Sequence, residues 1–202
     1  MTKKSPAAFL DRDGVLNTCS DPAKKYVHTW ADFQWITGSR LAIRLLKDAG
    51  YKVFVITNQG GVAFGYYTEQ DIEDIHGRMQ NDLAILRTSI DAFYHCPHHP
   101  QGSNWDYRLS CPCRKPQPGM IMRAIHEFNI DPAKSFLVGD METDIQAGMA
   151  AKLGDSYLIK EDTRHNSLLH IVQTRLGLVD EYLTAKIADP NWDLNQPLKG
   201  VS

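Results

Sequence analysis

The chain is short of several things, and each shortage narrows what it can be. Only four of its 202 residues are cysteine, too few for a scaffold stapled by many disulfides. Lys and Arg number 22 against 24 Asp and Glu, a formal charge of −2, and no long basic run occurs. Neither a nucleic-acid surface nor an anionic-lipid surface is indicated. No stretch of about 18 uninterrupted apolar residues exists. The opening "MTKKSPAAFLDRDG" runs from a short basic segment straight into acidic residues, unlike a secretory signal. The expectation is a cytoplasmic protein with no nucleic-acid or membrane partner. In that reducing setting clustered cysteines serve metals more often than disulfides.

What is present suits one globular domain: 43% of residues are hydrophobic and 23% charged, enough to bury one good core. The domain is expected over residues 1–186, followed by a tail at 187–202, and the protein is expected to be a monomer. Apolar runs of strand length alternate with segments of helical period. Strands are expected at residues 7–11, 52–58, 91–96, 135–140 and 156–160, and helices at 38–49, 68–87, 119–128 and 142–152. In the second helix Ile72, Ile75, Met79 and Leu86 share one face, and Thr68 with Asp71 resembles a capping box. Beyond Glu161 one or two further helices are expected. Alternation of this kind builds an α/β fold of Rossmann type, a mostly parallel sheet with helices on both faces and no large cap domain.

The ends of these strands carry the chemistry. "FLDRDGVLN" puts Asp11 and Asp13 at the carboxyl edge of the first strand, where open α/β sheets bind ligands. Alternation with period two lets both lean toward the same side. Two carboxylates in a dry crevice imply a cation between them or a retained proton. A phosphatase needs both: one carboxylate attacks phosphorus with magnesium reducing the repulsion, and the other serves as acid and base. "VFVITNQGG" ends the second strand with Thr57 and Asn58, which suit phosphate oxygens. "RKPQPGM" places Arg114 and Lys115 just before a helix. "FLVGDMETD" ends the fourth strand at Asp140, suited to an oxygen-rich magnesium site, and Asp144 could orient Lys115 or complement the helix start.

"CPHHPQGSNWDYRLSCPC" holds three of the four cysteines. Cys96, His98, Cys111 and Cys113 give C-x-H, twelve residues, then C-x-C, and three sulfurs with one imidazole suit a structural zinc. His95 or His99 could stand in for His98. Zinc there would tie the ends of a long loop, residues 96–113, and hold Arg114 and Lys115 in place. Cys19 carries no such pattern and reads as an incidental thiol.

A carboxylate pair, a Thr, a Lys and a further carboxylate, in that order at strand ends, resemble the haloacid dehalogenase (HAD) superfamily from about Phe9 to Lys160. The resemblance implies that Asp11 is the nucleophile and Asp13 the acid/base. It implies further that Thr57 and Lys115 complete the catalytic set, and that magnesium is held by Asp11, the backbone carbonyl of Asp13, and Asp140. "LDRDGVLN", "TNQGGVAFGYYTE", "CPHHPQGS" and "CPCRKPQPGM" look like the D-glycero-D-manno-heptose 1,7-bisphosphate 7-phosphatase family, in which zinc sits on the four Cys and His positions named. The related histidinol-phosphate phosphatases have a shorter insert before the C-x-C, and a histidinol-phosphate or other small-metabolite phosphatase is the alternative activity. A non-catalytic zinc-loop binding module is the alternative of a different class.

The family likeness implies that Arg114 recognises a small phosphorylated sugar, and Arg12, Asn58 and Gln59 are expected to contact it too. The product would feed nucleotide-activated heptose for bacterial surface glycans, including lipopolysaccharide. Two features depart from the family: the long segment "TCSDPAKKYVHTW", and Met141 where many members carry Lys. Lys24 and Lys25 could supply the missing charge, and a solvated turn is the alternative reading for each.

Overall fold

The computed structural model describes residues 3–21, 24, 26–160 and 167–178. Its centre is a sheet of five parallel strands: β1 (Ala7–Leu10), β4 (Lys52–Asn58), β5 (Ala92–Cys96), β6 (Phe136–Gly139) and β7 (Asp155–Leu158). Their spatial order is β5-β4-β1-β6-β7. The helices are α1 (Ser39–Asp48), α2 (Glu69–Ile85), α3 (Gly119–Phe128), α4 (Glu142–Ala150) and α5 (Leu168–Arg175).

Side-chain alternation along the strands creates two cores. Ala8 and Leu10 of β1 point one way, with Val53, Val55 and Phe136, into a layer closed by α1, α2 and α5. Ala7 and Phe9 point the other way, with Phe54, Ile56 and Leu137, against α3 and α4. All four residues of β1 are fully buried, which is why that strand reads as a continuous apolar run. Each such large side chain is worth about 1.5–3 kcal/mol in transfer free energy. The doubly wound sheet anticipated from the alternating segments is therefore present.

The strand order reverses at β1. The chain moves from β1 to β4 and β5 on one side, then returns to β6 and β7 on the other. A crevice opens at the carboxyl ends of strands beside such a reversal.

Between β1 and α1 lies an element absent from the expected strands, an antiparallel hairpin of β2 (Asn17–Cys19) and β3 (Phe33–Trp35). Strands of three residues are too short to show a period, and the pairing supplies what local sequence does not. Thr68 caps α2 through a reciprocal box with Asp71, as the sequence indicates. Past Glu161 one helix, α5, lies within the described residues; the second helix considered there and the tail at 187–202 lie outside them. Among the described residues no helix is long and apolar enough to cross a membrane.

Candidate active site

Where β1 ends, the chain turns sharply. Leu16 and Asn17 donate their backbone N–H groups to the Arg12 carbonyl at 2.9 and 3.1 Å, and Gly14 N donates to Asn17 O at 2.8 Å. Gly14 has φ +81°, and a Cβ there would stand 2.3 Å from Asp140 Oδ2. The turn thus brings the backbone of one strand end hard against the carboxylate of another, and only glycine fits.

Lys115 joins the remaining strand ends. Its Nζ lies 2.9 Å from Asp11 Oδ1 and 2.5 Å from Asp144 Oδ1, and donates to Ile56 O at 2.9 Å. Its backbone is clamped by Asn58, whose Nδ2 donates to Lys115 O at 3.1 Å while Lys115 N donates to Asn58 Oδ1 at 3.0 Å. The Asn58 amide, expected on substrate, is thus engaged in fixing Lys115. Asp144 serves both suggested purposes, since its Oδ2 also accepts from Met141 N and closes the first turn of α4.

Asp11, Asp140 and Asp144 each place a carboxylate oxygen within 4.8 Å of the others. Burial pushes the Asp11 carboxyl up to about 7, with the Lys115 charge opposing and Asp144 and Asp13 adding to the rise. Burial and then Asp144 raise Asp140 as well. Three acids around one ammonium leave the cluster short of positive charge, and an all-oxygen donor set suits a hard divalent cation. Both oxygens of Asp144 are engaged, Oδ1 with Lys115 and Oδ2 with Met141 N, whereas the Lys115 and Arg12 contacts of Asp11 fall on Oδ1. Asp11 and Asp140 are therefore the carboxylates better placed for an ion.

Asp13 stands apart from that cluster. Its Oδ1 accepts from Asn17 Nδ2 at 2.9 Å and Arg12 Nη2 at 3.2 Å; its Oδ2 accepts from Arg12 Nη2 at 2.9 Å and Gln59 Nε2 at 2.8 Å. Burial alone would raise its pKa, but the Arg12 charge and these hydrogen bonds hold it below the usual carboxylate range. Gln59 Nε2 also donates to Thr57 Oγ1 at 2.8 Å. Arg12 and Gln59, expected to touch substrate, are 0% and 2% exposed and lie beneath Asp13, away from the cavity wall. The sequence pattern could not separate a strand-end polar residue facing the cavity from one turned inward.

Above these groups is a cavity of about 780 Å³, large enough for a small sugar carrying two phosphates. Asp11, Asp13, Thr57, Asn58, Lys115 and Asp140 line its floor, and Arg114 its side. Thr18, Cys19, Lys24, Tyr26 and Val27, on or beside the hairpin, form its other wall. The wall residue Tyr26 falls within "TCSDPAKKYVHTW", the long segment that departs from the family; the Asp13 donor Asn17 was not singled out, and its sign was the "LN" following the D-x-D-G turn. Lys24 Nζ is 2.5 Å from Asp32 Oδ1, so its charge is already matched within the wall. Lys25 lies outside the described residues.

The cysteine loop also closes on itself. Cys96, His98, Cys111 and Cys113 each offer a donor atom within 4.8 Å of the rest. Sulfur separations are 3.0–3.4 Å, and His98 Nδ1 is 3.5 Å from Cys113 Sγ and 3.7 Å from Cys96 Sγ. No pair is joined as a disulfide. Donors about 2.3 Å from a central zinc would stand roughly 3.7 Å apart in a tetrahedron, so the set fits an ion after a small expansion. The other two histidines are engaged elsewhere: His95 Nε2 pairs with Glu69 Oε2 at 2.8 Å, and His99 Nδ1 accepts from Gln101 N at 3.1 Å. Glu69 at the start of α2 also accepts from Tyr107 OH at 2.9 Å, latching the loop to that helix. Arg114 Nη1 donates to the carbonyl of His98 at 3.1 Å, which ties the cavity's arginine to the cysteine cluster.

Comparison with known proteins follows the same lines. Residues 7–165 match the model of the polynucleotide kinase 3 phosphatase family. The D-glycero-beta-D-manno-heptose-1,7-bisphosphate 7-phosphatase of Yersinia pestis is 42% identical over 160 residues, 79% of this chain and 83% of that one. The protein of the same name from Salmonella typhi is 44% identical over the same shares. Among solved structures, D,D-heptose 1,7-bisphosphate phosphatase from B. bronchiseptica, complexed with magnesium and phosphate, superposes with a TM-score of 0.71. It is 28% identical, and the match covers 86% of this chain and 99% of that one. On these identities and coverages, the chain belongs to the D-glycero-D-manno-heptose 1,7-bisphosphate 7-phosphatase family of the HAD superfamily.

Proposed function

We propose that this chain hydrolyses the 7-phosphate of D-glycero-D-manno-heptose 1,7-bisphosphate through an aspartyl phosphate on Asp11. The observation that carries the reading is the single ammonium of Lys115 set between Asp11 and Asp144, with Asp140 beside it and Asp13 at the same cavity floor. Asp11, Asp140 and the backbone carbonyl of Asp13 would hold magnesium, which when bound offsets the repulsion between Asp11 and the phosphate.

An oxygen of Asp11 attacks phosphorus, and the bond to the sugar oxygen breaks. Asp13 gives that leaving oxygen a proton and later takes one from the water that opens the aspartyl phosphate. A phosphate dianion settling beside Asp13 raises its proton affinity, as like charge does. Thr57 Oγ1 accepts from Gln59, which leaves its own hydroxyl proton to donate to a phosphate oxygen. The Lys115 ammonium adds positive charge as negative charge moves onto the transferring group. Arg114, fixed by the His98 carbonyl, is placed to receive the part of the substrate that does not react.

Cys96, His98, Cys111 and Cys113 would hold a structural zinc that keeps Arg114 and Lys115 in position. The working form is a monomer in the cytoplasm, acting on a small sugar and not on nucleic acid or membrane. The test is turnover of the bisphosphate with magnesium, locating the phosphate that remains on the sugar. Faster hydrolysis of histidinol phosphate, or release from C1, would overturn this reading.

A further inference from the structure

We infer that Arg12 is a positioning residue: its buried guanidinium, acting with Gln59 and Tyr67, brackets the Asp13 carboxylate so that it meets the leaving oxygen of the substrate. The inference rests on the acid and base role proposed for Asp13.

Arg12 occupies a place that stability alone does not explain. It is 0% exposed and among the bulkiest fully buried side chains of the protein. Removing a guanidinium from water is costly, and among the described residues its Nε and Nη1 make no hydrogen bond. An apolar side chain would fill the same space without that cost. What the guanidinium provides is geometry. Its Nη2 alone reaches both oxygens of Asp13, at 3.2 and 2.9 Å, and Gln59 Oε1 at 3.2 Å.

Gln59 completes the bracket. Its Oε1 receives a second donor, Tyr67 OH at 2.8 Å. An amide oxygen met by two donors fixes which end of the group is which, so Nε2 is directed at Asp13 Oδ2 and Thr57 Oγ1, both at 2.8 Å. Asn17 Nδ2 secures the other oxygen of Asp13 at 2.9 Å. The carboxylate is therefore held from behind by three side chains, while the Asp13 side chain is 42% exposed and lines the cavity. A general acid must stand within hydrogen-bond reach of the oxygen it protonates, and a displacement of about 1 Å can cost two orders of magnitude in rate.

A second leaving group separates this role from a merely structural one. A sugar alkoxide needs a proton as it departs, whereas p-nitrophenolate leaves readily without one. With Arg12→Met, kcat on the heptose bisphosphate should fall about 100-fold, while KM changes less than about threefold. On p-nitrophenyl phosphate the same variant should release one equivalent of nitrophenol in a rapid burst and then turn over slowly. Asp11 still forms its phosphate ester, but the water that must open it lacks a well-placed base.

Arg12→Lys should recover part of the rate by restoring a donor. Where Arg12→Met fails to fold, Tyr67→Phe, which removes one hydroxyl, should give the same pattern at about fivefold amplitude. Equal losses on both substrates with no burst, or unchanged kcat on the sugar, would reject the bracket. Native protein that releases no phosphate from the bisphosphate would instead overturn the functional reading, leaving Arg12 to be judged on the aryl substrate.

Discussion

The protein gathers two clusters of side chains able to hold a metal ion, and they are built on opposite plans. The acid cluster of Asp11, Asp140 and Asp144 contains its own cation, Lys115, and opens onto a 780 Å³ cavity. It is held by strand ends, a glycine turn and the clamp of Asn58 on Lys115, all independent of any ion. The thiol cluster has no lysine or arginine among its donors, and three of its four members come from one long loop outside the sheet. Its four donors converge beside two hydrogen bonds that also hold the loop, Tyr107 to Glu69 and Arg114 to the His98 carbonyl. The first plan suits ligands that come and go through an open cavity; the second suits one ion kept for the life of the fold.

Substitutions can break that contrast. Asp11→Asn should reduce phosphate release by a factor on the order of 10⁴ or more while leaving zinc content and melting temperature near native. A parallel loss of zinc would show that the two clusters are not independent. Next in size, Cys111→Ser should lower zinc below one equivalent and cost up to about 100-fold in kcat/KM, because Arg114 and Lys115 lose their support. Full activity in zinc-free protein would refute a scaffolding role for the loop.

Asn58→Leu sharpens the comparison from inside the acid cluster. It strips the Lys115 peptide of both partners and should destabilise by about 1–3 kcal/mol for each group left unpaired, with kcat falling and zinc retained. Denaturant titration and metal analysis of the same preparation would check this. The smallest effect is expected from Lys24→Ala on the cavity wall, where Asp32 already matches the charge. Its KM for the bisphosphate should move no more than about threefold. A larger rise would mean that Lys24 leaves Asp32 for the substrate and supplies the charge that Met141 does not.

Much of this architecture is legible in the sequence because strand and helix periods declare themselves. The run over Ala7–Leu10, the seven residues of β4 and the capping box of α2 all appear where the pattern puts them. The cysteine ligands illustrate what the pattern leaves open. His95, His98 and His99 are equivalent in a list of residues. Alternation in β5 puts Cys96 in one core and His95 on the opposite side, 6.1 Å from the His76 ring, where Glu69 engages it. Only His98, past the strand end, turns back toward the sulfurs.

The sequence by itself determined which strand ends would carry acids, amide, hydroxyl and amine, since a parallel sheet brings carboxyl ends to one edge wherever the intervening helices lie. Tertiary structure alone decided which of those polar groups face the cavity and which lie beneath it. Arg12 and Asp13 are neighbours in the chain, yet one is sealed in the core and the other meets solvent. That division depends on layers of side chains arriving from β4 and the segment after it, and on a hairpin of two three-residue strands whose pairing no local pattern encodes.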